Sequence, residues 1–326
     1  MIEMAKSIHV RVPGTSANCG PGFDCLGLAC SIYNDLTLTL THEPGLRIDI
    51  AGDGARIIPR DERNIVWRSV RYLLDQAGNT EWQGGHLEMV NHIPLSRGLG
   101  SSAAAIVAGL KAANAWLDSP FNRHQLLQFA TAIEGHPDNV APALFGGFTA
   151  SITQGEKVEC FTFLPRYRMR YVVAVPDFPL STRKAREVLP EAVTRADAVY
   201  NIGRASVLVG ALCRGSERFL QYALDDKLHQ PYRASLIPGM YETFAAAKEA
   251  GAYGASLSGA GPCLIAFVPE KKHCAQDVAR AMREKLRDFG IKARVLGMRL
   301  DTRGAHVLHH QDAQGQVSAP AAPKEK

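Results

Sequence analysis

The sequence lacks paired cysteines, and it lacks any apolar stretch long enough to cross a membrane. Its seven cysteines are scattered along the chain, and none forms a CxxC pair or a zinc-type cluster with histidines. Such isolated thiols are typical of a reducing compartment. No run approaches the ~20 apolar residues that span a bilayer, and the amino terminus shows no signal peptide. These absences predict a cytoplasmic protein with no membrane partner.

Strong net charge is also missing. The formal charge is +5 over 326 residues, and no basic stripe with interleaved aromatic side chains runs along the sequence. Nucleic-acid binding is therefore not expected, whereas a small anionic substrate suits a mildly basic protein. Hydrophobic residues make up 46% of the chain, as in ordinary soluble globular proteins. The function must therefore be sought in motifs.

In the first half of the chain, apolar and polar residues alternate in short segments, a pattern that predicts strands. The predicted strands are residues 9–12, 36–40, 46–51, 86–93 and 147–152. Apolar residues at helical spacing predict helices at residues 61–77, 101–117 and 123–133, with a loop between the last helix and the strand at 147.

The second half reads as an α+β lobe with a mainly antiparallel sheet. Its strands are expected at residues 171–176, 255–258, 264–268 and 293–300, and its helices at residues 183–188, 197–213, 235–250 and 275–289. The chain length favours either two domains or one core with a large second lobe, and we predict domains at residues 1–160 and 161–310. The polar tail, residues 311–326, is predicted to be disordered.

One segment combines glycines, serines and a helix start in a way that indicates anion binding. Residues 94–105 (PLSRGLGSSAAA) join a predicted strand to the alanine-rich helix. Unpaired backbone N–H groups and the positive end of the helix dipole can hold phosphate there. Gly98 and Gly100 permit close approach of the backbone, and Ser101 and Ser102 add hydroxyls for phosphate or Mg²⁺.

Two other interpretations of this loop stay open. The glycines match the GxGxxA pattern of dinucleotide-binding proteins, but residues 94–97 separate the strand from the first glycine, and no strand ending in an acidic residue follows. A GxxxxGK[ST] loop is absent. The remaining alternative is a purely structural turn between strand and helix, which the doubled serine makes less attractive.

Three separated motifs resemble those of the GHMP kinases, a family named after galactokinase, homoserine kinase, mevalonate kinase and phosphomevalonate kinase. The motifs are residues 13–27 (PGTSANCGPGFDCLG), 94–105 and 254–263 (GASLSGAGPC). Two further segments, residues 135–142 (GHPDNVAP) and 181–190 (STRKAREVLP), resemble the homoserine kinase branch of that family. Together the resemblance covers the chain from about residue 9 to residue 300.

The resemblance implies a two-domain α+β GHMP kinase fold, with an N-terminal domain like the second domain of ribosomal protein S5 and a C-terminal ferredoxin-like domain. ATP and Mg²⁺ would bind between the domains. The implied reaction is ATP-dependent phosphorylation of L-homoserine to O-phospho-L-homoserine, a step of threonine biosynthesis. Members of the family often form dimers, so the resemblance allows a homodimer. It also implies an adenine pocket near residues 64–67.

The resemblance further assigns roles to individual residues. The expected ATP-phosphate contacts are Pro94, Leu95, Ser96, Arg97, Gly98, Leu99, Gly100, Ser101, Ser102, Ala103 and Ala104. Glu134 is expected to ligate Mg²⁺, together with Ser101 or Ser102. The residues assigned to catalysis are Asn139, Asn18 and Glu134.

Homoserine carries an ammonium, a carboxylate and a primary hydroxyl, and the matched positions offer a partner for each. Asp24 suits the ammonium, while Arg186 and Arg233 can fork onto the carboxylate. The other expected substrate contacts are Asn18 and Asn139 at the hydroxyl, with His136 and Thr182 beside them.

Two questions stay open in the sequence. Asp138 can act as a catalytic base or serve only its own loop; we favour transfer of the hydroxyl proton to the phosphate, with no dedicated base. The substrate of a related GHMP kinase could instead be mevalonate, phosphomevalonate or a sugar, and a non-catalytic ligand sensor is the alternative from another class. Asp24 with its two arginines favours an amino acid, and Glu134 with the serines favours catalysis.

Overall fold

The fold is described by a computed structural model that covers residues 6–155 and 157–311. Over these residues the strands are β1 (Ser7–Ala17), β2 (Leu26–Thr41), β3 (Leu46–Gly52), β4 (Gly84–Asn91), β5 (Phe148–Gln154), β6 (Lys157–Phe163), β7 (Met169–Pro176), β8 (Gly254–Leu257), β9 (Leu264–Pro269), β10 (Ala293–Met298) and β11 (His306–Gln311). The α-helices are α1 (Ile65–Gln76), α2 (Ser101–Trp116), α3 (Arg123–Glu134), α4 (Pro137–Phe145), α5 (Thr182–Glu187), α6 (Arg195–Arg214), α7 (Leu220–Ala223), α8 (Gln230–Arg233), α9 (Met240–Glu249) and α10 (Ala275–Asp288).

The first half builds a sheet with the strand order β11-β1-β2-β4-β3, and β5 joins it beside β2 with β6 outside β5. All pairs are antiparallel except β3 with β4. Helices α2 and α4 lie against β1 and β2, and α1 and α3 flank them. Because α2 is rich in alanine and most of its residues are buried, its neighbours can pack closely around it. The sheet thereby fixes where α2 begins.

The second half builds a separate four-stranded antiparallel sheet with the order β10-β7-β9-β8. In chain order this is 4-1-3-2 with helices between the strands, which is the ferredoxin-like arrangement that the resemblance implied. Strand β7 is buried on both faces: Tyr171 and Val173 join the core shared with the first half, while Val172 and Ala174 belong to the core under α9 and α10. The prediction of an antiparallel α+β second lobe is confirmed.

The prediction of a loop between α3 and the strand at residue 147 is wrong, because the structure places α4 there. This helix contains two prolines in nine residues. Pro137 lies in the first turn, where no N–H partner is needed, and Pro142 removes one bond from a helix that is otherwise held by burial. Tertiary packing thus overrides the local signal.

The carboxyl-terminal end of the described chain returns to the first sheet, where β11 pairs with β1. Strand β11 was not predicted. Its last residue is Gln311, so the prediction that the disordered tail begins at Gln311 is wrong for that residue. The rest of that predicted tail lies outside the described residues.

The predicted boundary near residue 160 falls within β6, so we propose that the first domain comprises residues 6–163 and 306–311. Among the described residues, no helix is long and apolar enough to cross a membrane.

Candidate active site

A cleft of about 230 Å³ lies between the two sheets and collects residues from both halves of the chain. Fifteen of the predicted site residues line it: Asn18, Asp24, Leu95, Ser96, Arg97, Gly98, Gly100, Ser101, Ser102, Glu134, His136, Asn139, Thr182, Arg186 and Arg233. The other four do not line it. Leu99, Ala103 and Ala104 are fully buried in the core, and Pro94 lines a neighbouring cavity. These four can therefore contribute only backbone groups or loop shape to the cleft.

The glycine loop presents the start of α2 to the cleft. Gly100 is the N-cap residue of α2, and no side chain caps the helix. The first N–H groups of the helix are therefore free of a side-chain acceptor and can meet an anion. Gly98 and Gly100 have φ values of 79° and 67°, in the left-handed region that favours glycine. A Cβ at Gly100 would overlap the hydroxyl of Thr15.

The third glycine motif, residues 254–263, packs directly against this loop. The hydroxyl of Ser258 donates to the carbonyl oxygen of Gly98 at 2.6 Å, and the N–H of Cys263 donates to the carbonyl oxygen of Arg97 at 3.1 Å. A Cβ at Gly98 would overlap the carbonyl oxygen of Ser258. The two glycine segments therefore hold each other in place.

The side chain of Arg97 stabilises the loop from outside. Its Nε donates to the carbonyl oxygen of Pro176 at 3.0 Å, and its Nη2 donates to that of Asp177 at 3.3 Å. Both acceptors lie at the end of β7 or just after it. These contacts connect the glycine loop to the second sheet.

A carboxylate and a hydroxyl meet beside the start of α2. The hydroxyl of Ser102 donates to Glu134 Oε2 at 2.9 Å. Burial raises the pKa of Glu134, an effect that the Ser102 bond partly opposes. Ser101 also lines the cleft. Within the described residues, no group of three or more His, Cys, Asp or Glu side chains is gathered as for a metal held by protein ligands alone.

Asp24 and Arg186 form a two-point ion pair across 162 residues of sequence. Arg186 Nη1 donates to Asp24 Oδ2 at 2.9 Å, and Nη2 donates to Oδ1 at 2.7 Å. The bond to Asp24 is the main reason why the pKa of Arg186 is raised. The sequence assigned these residues to opposite ends of one substrate, and the structure brings the two together.

Asn18 uses both ends of its side chain to shape the loop that carries Asp24. Its Oδ1 accepts the N–H of Asp24 at 3.0 Å, and its Nδ2 donates to the carbonyl oxygen of Gly259 at 2.9 Å. Asn18 and Asp24 have φ values of 72° and 56°, which is uncommon for residues with a Cβ. Asn18 therefore lines the cleft with an amide that is already bonded within the protein.

Arg233 is 1% exposed, although it lines the cleft. Its Nε donates to the carbonyl oxygen of Ala185 at 3.0 Å, and its Nη1 lies 3.2 Å from both the carbonyl oxygen of Gly259 and His229 Nδ1. Burial, with a smaller contribution from Arg186, lowers its pKa to about 10. Arg233 therefore remains cationic at neutral pH.

The segment at the start of α4 contributes two short polar contacts. His136 Nδ1 lies 2.6 Å from Asp138 Oδ1, and this bond is the main cause of a raised pKa for His136. Asp138 is buried, and its carboxylate already has this partner. The hydroxyl of Thr15 donates to Asn139 Oδ1 at 2.8 Å, which leaves the Asn139 amide nitrogen as the other polar end of that side chain.

Three residues with clear contacts at the site were missed by sequence reasoning. Thr15 fixes Asn139, Ser258 fixes Gly98, and the ring of Phe23 lies near both cleft arginines, 5.5 Å from Arg186 Cζ and 5.3 Å from Arg233 Cζ. All three lie within the family motifs at residues 13–27 and 254–263, so a search for further polar and aromatic residues inside those motifs could have found them. Their roles depend on neighbours that are distant in sequence.

Residues 64–67, where the resemblance implied an adenine pocket, stabilise the start of α1 and the first core. Asn64 is fully buried and caps α1 by accepting the N–H of Val66 at 2.9 Å, while its Nδ2 donates to the carbonyl oxygen of Pro59 at 2.8 Å. Trp67 is buried in the first core. The adenine pocket stays a prediction.

Comparison with known proteins places the chain among kinases. A model described as the GHMP kinases N terminal domain matches residues 64–147, and one described as GHMP kinases C terminal matches residues 208–288. A homoserine kinase of Carboxydothermus hydrogenoformans is 44% identical over 94% of this chain and 99% of its own length. One from Desulfitobacterium hafniense is 45% identical over 92% of this chain and all of its own.

A solved structure agrees with these relatives. The crystal structure of homoserine kinase from Cytophaga hutchinsonii superposes with a TM-score of 0.85 at 33% identity, covering 94% of this chain and 98% of that one. The two-domain α+β fold inferred from the motifs is therefore confirmed. The chain belongs to the GHMP kinase family, in its homoserine kinase branch.

Proposed function

We propose that the protein transfers the γ-phosphate of ATP to the side-chain hydroxyl of L-homoserine, giving O-phospho-L-homoserine for threonine biosynthesis. The observation that carries the proposal is the composition of one cleft. It combines an uncapped helix start, suited to phosphate, with the carboxylate of Asp24 and the guanidiniums of Arg186 and Arg233, suited to an amino acid. The names of the homologous enzymes support the same reaction.

The substrate is recognised by its two charges. In the described structure Asp24 and Arg186 neutralise each other, with both pairs of atoms within 2.9 Å. A zwitterion can replace these contacts, with its ammonium at Asp24 and its carboxylate between Arg186 and Arg233. Mevalonate has no ammonium, and a neutral sugar has neither charge, so neither would compensate both partners.

ATP is the phosphate donor that family membership implies, and its phosphates would lie against the N–H groups at the start of α2. The oxygen donors of Glu134 and Ser102, 2.9 Å apart, fit Mg²⁺, which is commonly held by one or two carboxylates together with substrate phosphates. When bound, Mg²⁺ would neutralise charge on the transferring phosphoryl group. Ser101 is the alternative hydroxyl ligand.

No side chain is assigned as a dedicated base. Asp138 is buried and bonded to His136, so we assign it the orientation of that imidazole. The amide nitrogen of Asn139 would orient the substrate hydroxyl, which transfers its proton to the phosphate. Asn18 acts indirectly by holding the Asp24 loop, and Thr182 lines the amino-acid end of the cleft.

A cytoplasmic location fits an enzyme that consumes ATP. All seven cysteines are free thiols, as expected in a reducing compartment. A non-catalytic sensor on this fold is the second candidate function. It is disfavoured because Ser102 and Glu134 keep their contact beside the helix start.

The charge assignment is tested by Arg186→Lys. The variant retains the charge but loses the planar two-donor fork, so the KM for homoserine should rise about 10- to 150-fold, and the KM for ATP should change little. Arg186 is the better position for this test, because Lys at the buried Arg233 would also lose the guanidinium's bonds to the carbonyl oxygens of Ala185 and Gly259. Steady-state rates of ADP formation measure both constants.

Homoserinol, which lacks the carboxylate, provides the control. It should be a poor substrate for the parent enzyme, and Arg186→Lys should weaken its use far less than that of homoserine. Equal losses with both substrates would show that Arg186 acts on the phosphate or on the fold, and the preference for homoserine would lose its basis.

A further inference from the structure

Behind the cleft, a fully buried histidine contacts the arginine that we assign to the substrate carboxylate. His229 is 0% exposed, and its Nδ1 lies 3.2 Å from Arg233 Nη1. On the other side of the ring, His229 Nε2 lies 2.8 Å from the carbonyl oxygen of Gly20. Gly20 precedes Asp24 in the same loop. One imidazole thus connects Arg233 to the loop that carries Asp24.

The partners of His229 determine its tautomer. A carbonyl oxygen can only accept, so Nε2 must carry the proton toward Gly20. An arginine can only donate, so Nδ1 must be the unprotonated acceptor for Arg233. Asp226 Oδ2, 3.6 Å from Nε2, is a further acceptor on the protonated side. The contacts therefore require the neutral Nε2–H form.

This arrangement fixes which part of Arg233 remains for a ligand. Its Nε–H is donated to Ala185, and the two N–H groups of Nη1 have Gly259 and His229 as acceptors. A guanidinium has five N–H donors, so two remain, both on Nη2. In the described part of the chain Nη2 makes no hydrogen bond. Because Arg233 lines the cleft, Nη2 is the group that can meet a carboxylate there.

The backbone around His229 is itself held by buried polar contacts. Asp226 accepts the N–H of His229 at 2.9 Å and that of Gln230 at 2.6 Å. Asn201 Nδ2 contacts both Asp226 Oδ1, at 2.8 Å, and the carbonyl oxygen of Pro21, at 3.1 Å. The ring of Phe23 stacks on His229 with the centroids 5.2 Å apart. The imidazole therefore has little freedom to turn.

We propose that His229 is a positioning residue for the substrate carboxylate: as the neutral Nε2–H imidazole it orients Arg233 so that Nη2 faces the cleft, and it ties that arginine to the Asp24 loop. This inference rests on the proposed function. It predicts that loss of the Nδ1 acceptor weakens homoserine binding and leaves ATP binding and turnover nearly unchanged.

Two amide substitutions separate the two contacts of the ring. In His229→Asn the amide oxygen can lie near the Nδ1 position and still accept from Arg233, whereas in His229→Gln the longer side chain can reach Gly20 but loses the acceptor at Nδ1. We expect His229→Gln to raise the KM for homoserine by roughly 10-fold or more, and His229→Asn to raise it much less. In both variants kcat and the KM for ATP should stay within about twofold.

Acidification should reproduce the effect in the parent enzyme. The charged groups that act on His229 are Asp226 and Asp24, which favour protonation, and Arg233, which opposes it; burial is the largest effect and lowers the pKa of His229. A proton at Nδ1 would remove the acceptor of Arg233, so the KM for homoserine should rise as the pH falls. The change should be absent from both amide variants. A pH dependence that persists in them to the same extent does not come from His229 and contradicts this part of the proposal.

The experiment distinguishes the inference from the function on which it rests. A parent enzyme that does not phosphorylate homoserine overturns both. A parent that is active, with equal rises in the KM for homoserine in the two variants, overturns the inference alone, because His229 would then be only structural. Melting temperatures identify a variant that fails to fold. In that case ¹⁵N NMR of the parent decides: a proton on His229 Nδ1 at neutral pH contradicts the proposal.

Discussion

At the scale of single residues, the acidic side chains of the cleft already have hydrogen-bond partners within the protein. Asp24 is bonded to Arg186, Glu134 to Ser102 and Asp138 to His136. Buried charge is costly unless it is hydrogen-bonded, so these pairs allow the cleft to fold with its functional groups in place. A bound ligand would then replace these internal hydrogen bonds with its own, at a site whose shape already exists.

Glu134→Gln tests the metal assignment. The amide has no charge for Mg²⁺, so kcat should fall by roughly 10² or more, since the metal contributes several kcal/mol to transition-state stabilisation. Burial raises the pKa of Glu134, and the metal requires the carboxylate. In the parent, activity should therefore decline on the acid side from a pH above the usual range for glutamate. Initial rates at varied Mg²⁺ and pH measure both effects.

The two loop serines provide a matched pair for the same assignment. Ser102 contacts Glu134, and Ser101 has no such bond in the described structure. Ser102→Ala should therefore raise the Mg²⁺ concentration needed for half-maximal rate more than Ser101→Ala does. Unchanged turnover of Glu134→Gln at saturating Mg²⁺ would remove Glu134 from the site.

At the scale of elements, the start of α2 depends on a close approach that only glycine permits. Gly100 has φ of 67°, and a Cβ there would overlap the Thr15 hydroxyl and lie 3.1 Å from Asn139 Oδ1. The same strand β1 that supplies Thr15 also pairs with β2 and β11. The start of α2, where we propose that phosphate binds, is thus fixed by the sheet beneath it.

Gly100→Ala should lower the free energy of unfolding and raise the KM for ATP. Gly78→Ala is the matched control, because Gly78 has a similar φ of 64° but nothing within 4 Å of an added Cβ. The left-handed backbone alone costs about 1–2 kcal/mol. The loss at Gly100 should exceed about 3 kcal/mol, because Thr15 must also move. Urea denaturation of both variants gives the comparison, and equal losses would show that the contact with Thr15 is relieved cheaply.

At the scale of the whole molecule, the last described strand, β11, pairs with the first, β1. Strand β11 returns from the second sheet to pair with the edge of β1, and Ala305, just before it, is fully buried and donates its N–H to the carbonyl oxygen of Ala143. Residues more than 290 positions apart therefore share one ladder. This closure covers an edge that would otherwise expose unpaired backbone groups.

Two truncations separate β11 from the polar tail. Removal of residues 312–326 should leave activity and melting temperature nearly unchanged, because the tail has few residues that could form a core. Removal of residues 306–326 should lower the melting temperature by several degrees, because β1 loses its partner. Calorimetry of the two proteins measures the difference. A large drop on removal of 312–326 alone would show that the tail docks on the core.

Much of the fold could be predicted because its signals are local. Strands β3 and β7 and helices α2, α3 and α10 lie within a few residues of the predicted bounds, since apolar periodicity and helix propensity act over short stretches. Helix α4 and strand β11 could not be predicted. The first contains prolines that are tolerated only through burial, and the second depends on pairing with a strand at the other end of the chain.

The sequence by itself determined the family, the glycine loop at the start of α2 and the identity of most cleft residues, because each motif is a short run whose chemistry depends on spacing along the chain. Only the tertiary structure decided how those residues are paired. Asp24 meets Arg186, His229 meets Gly20, and Ser258 meets Gly98, each across more than 150 residues. Such contacts follow from packing of the two sheets, which no local pattern encodes.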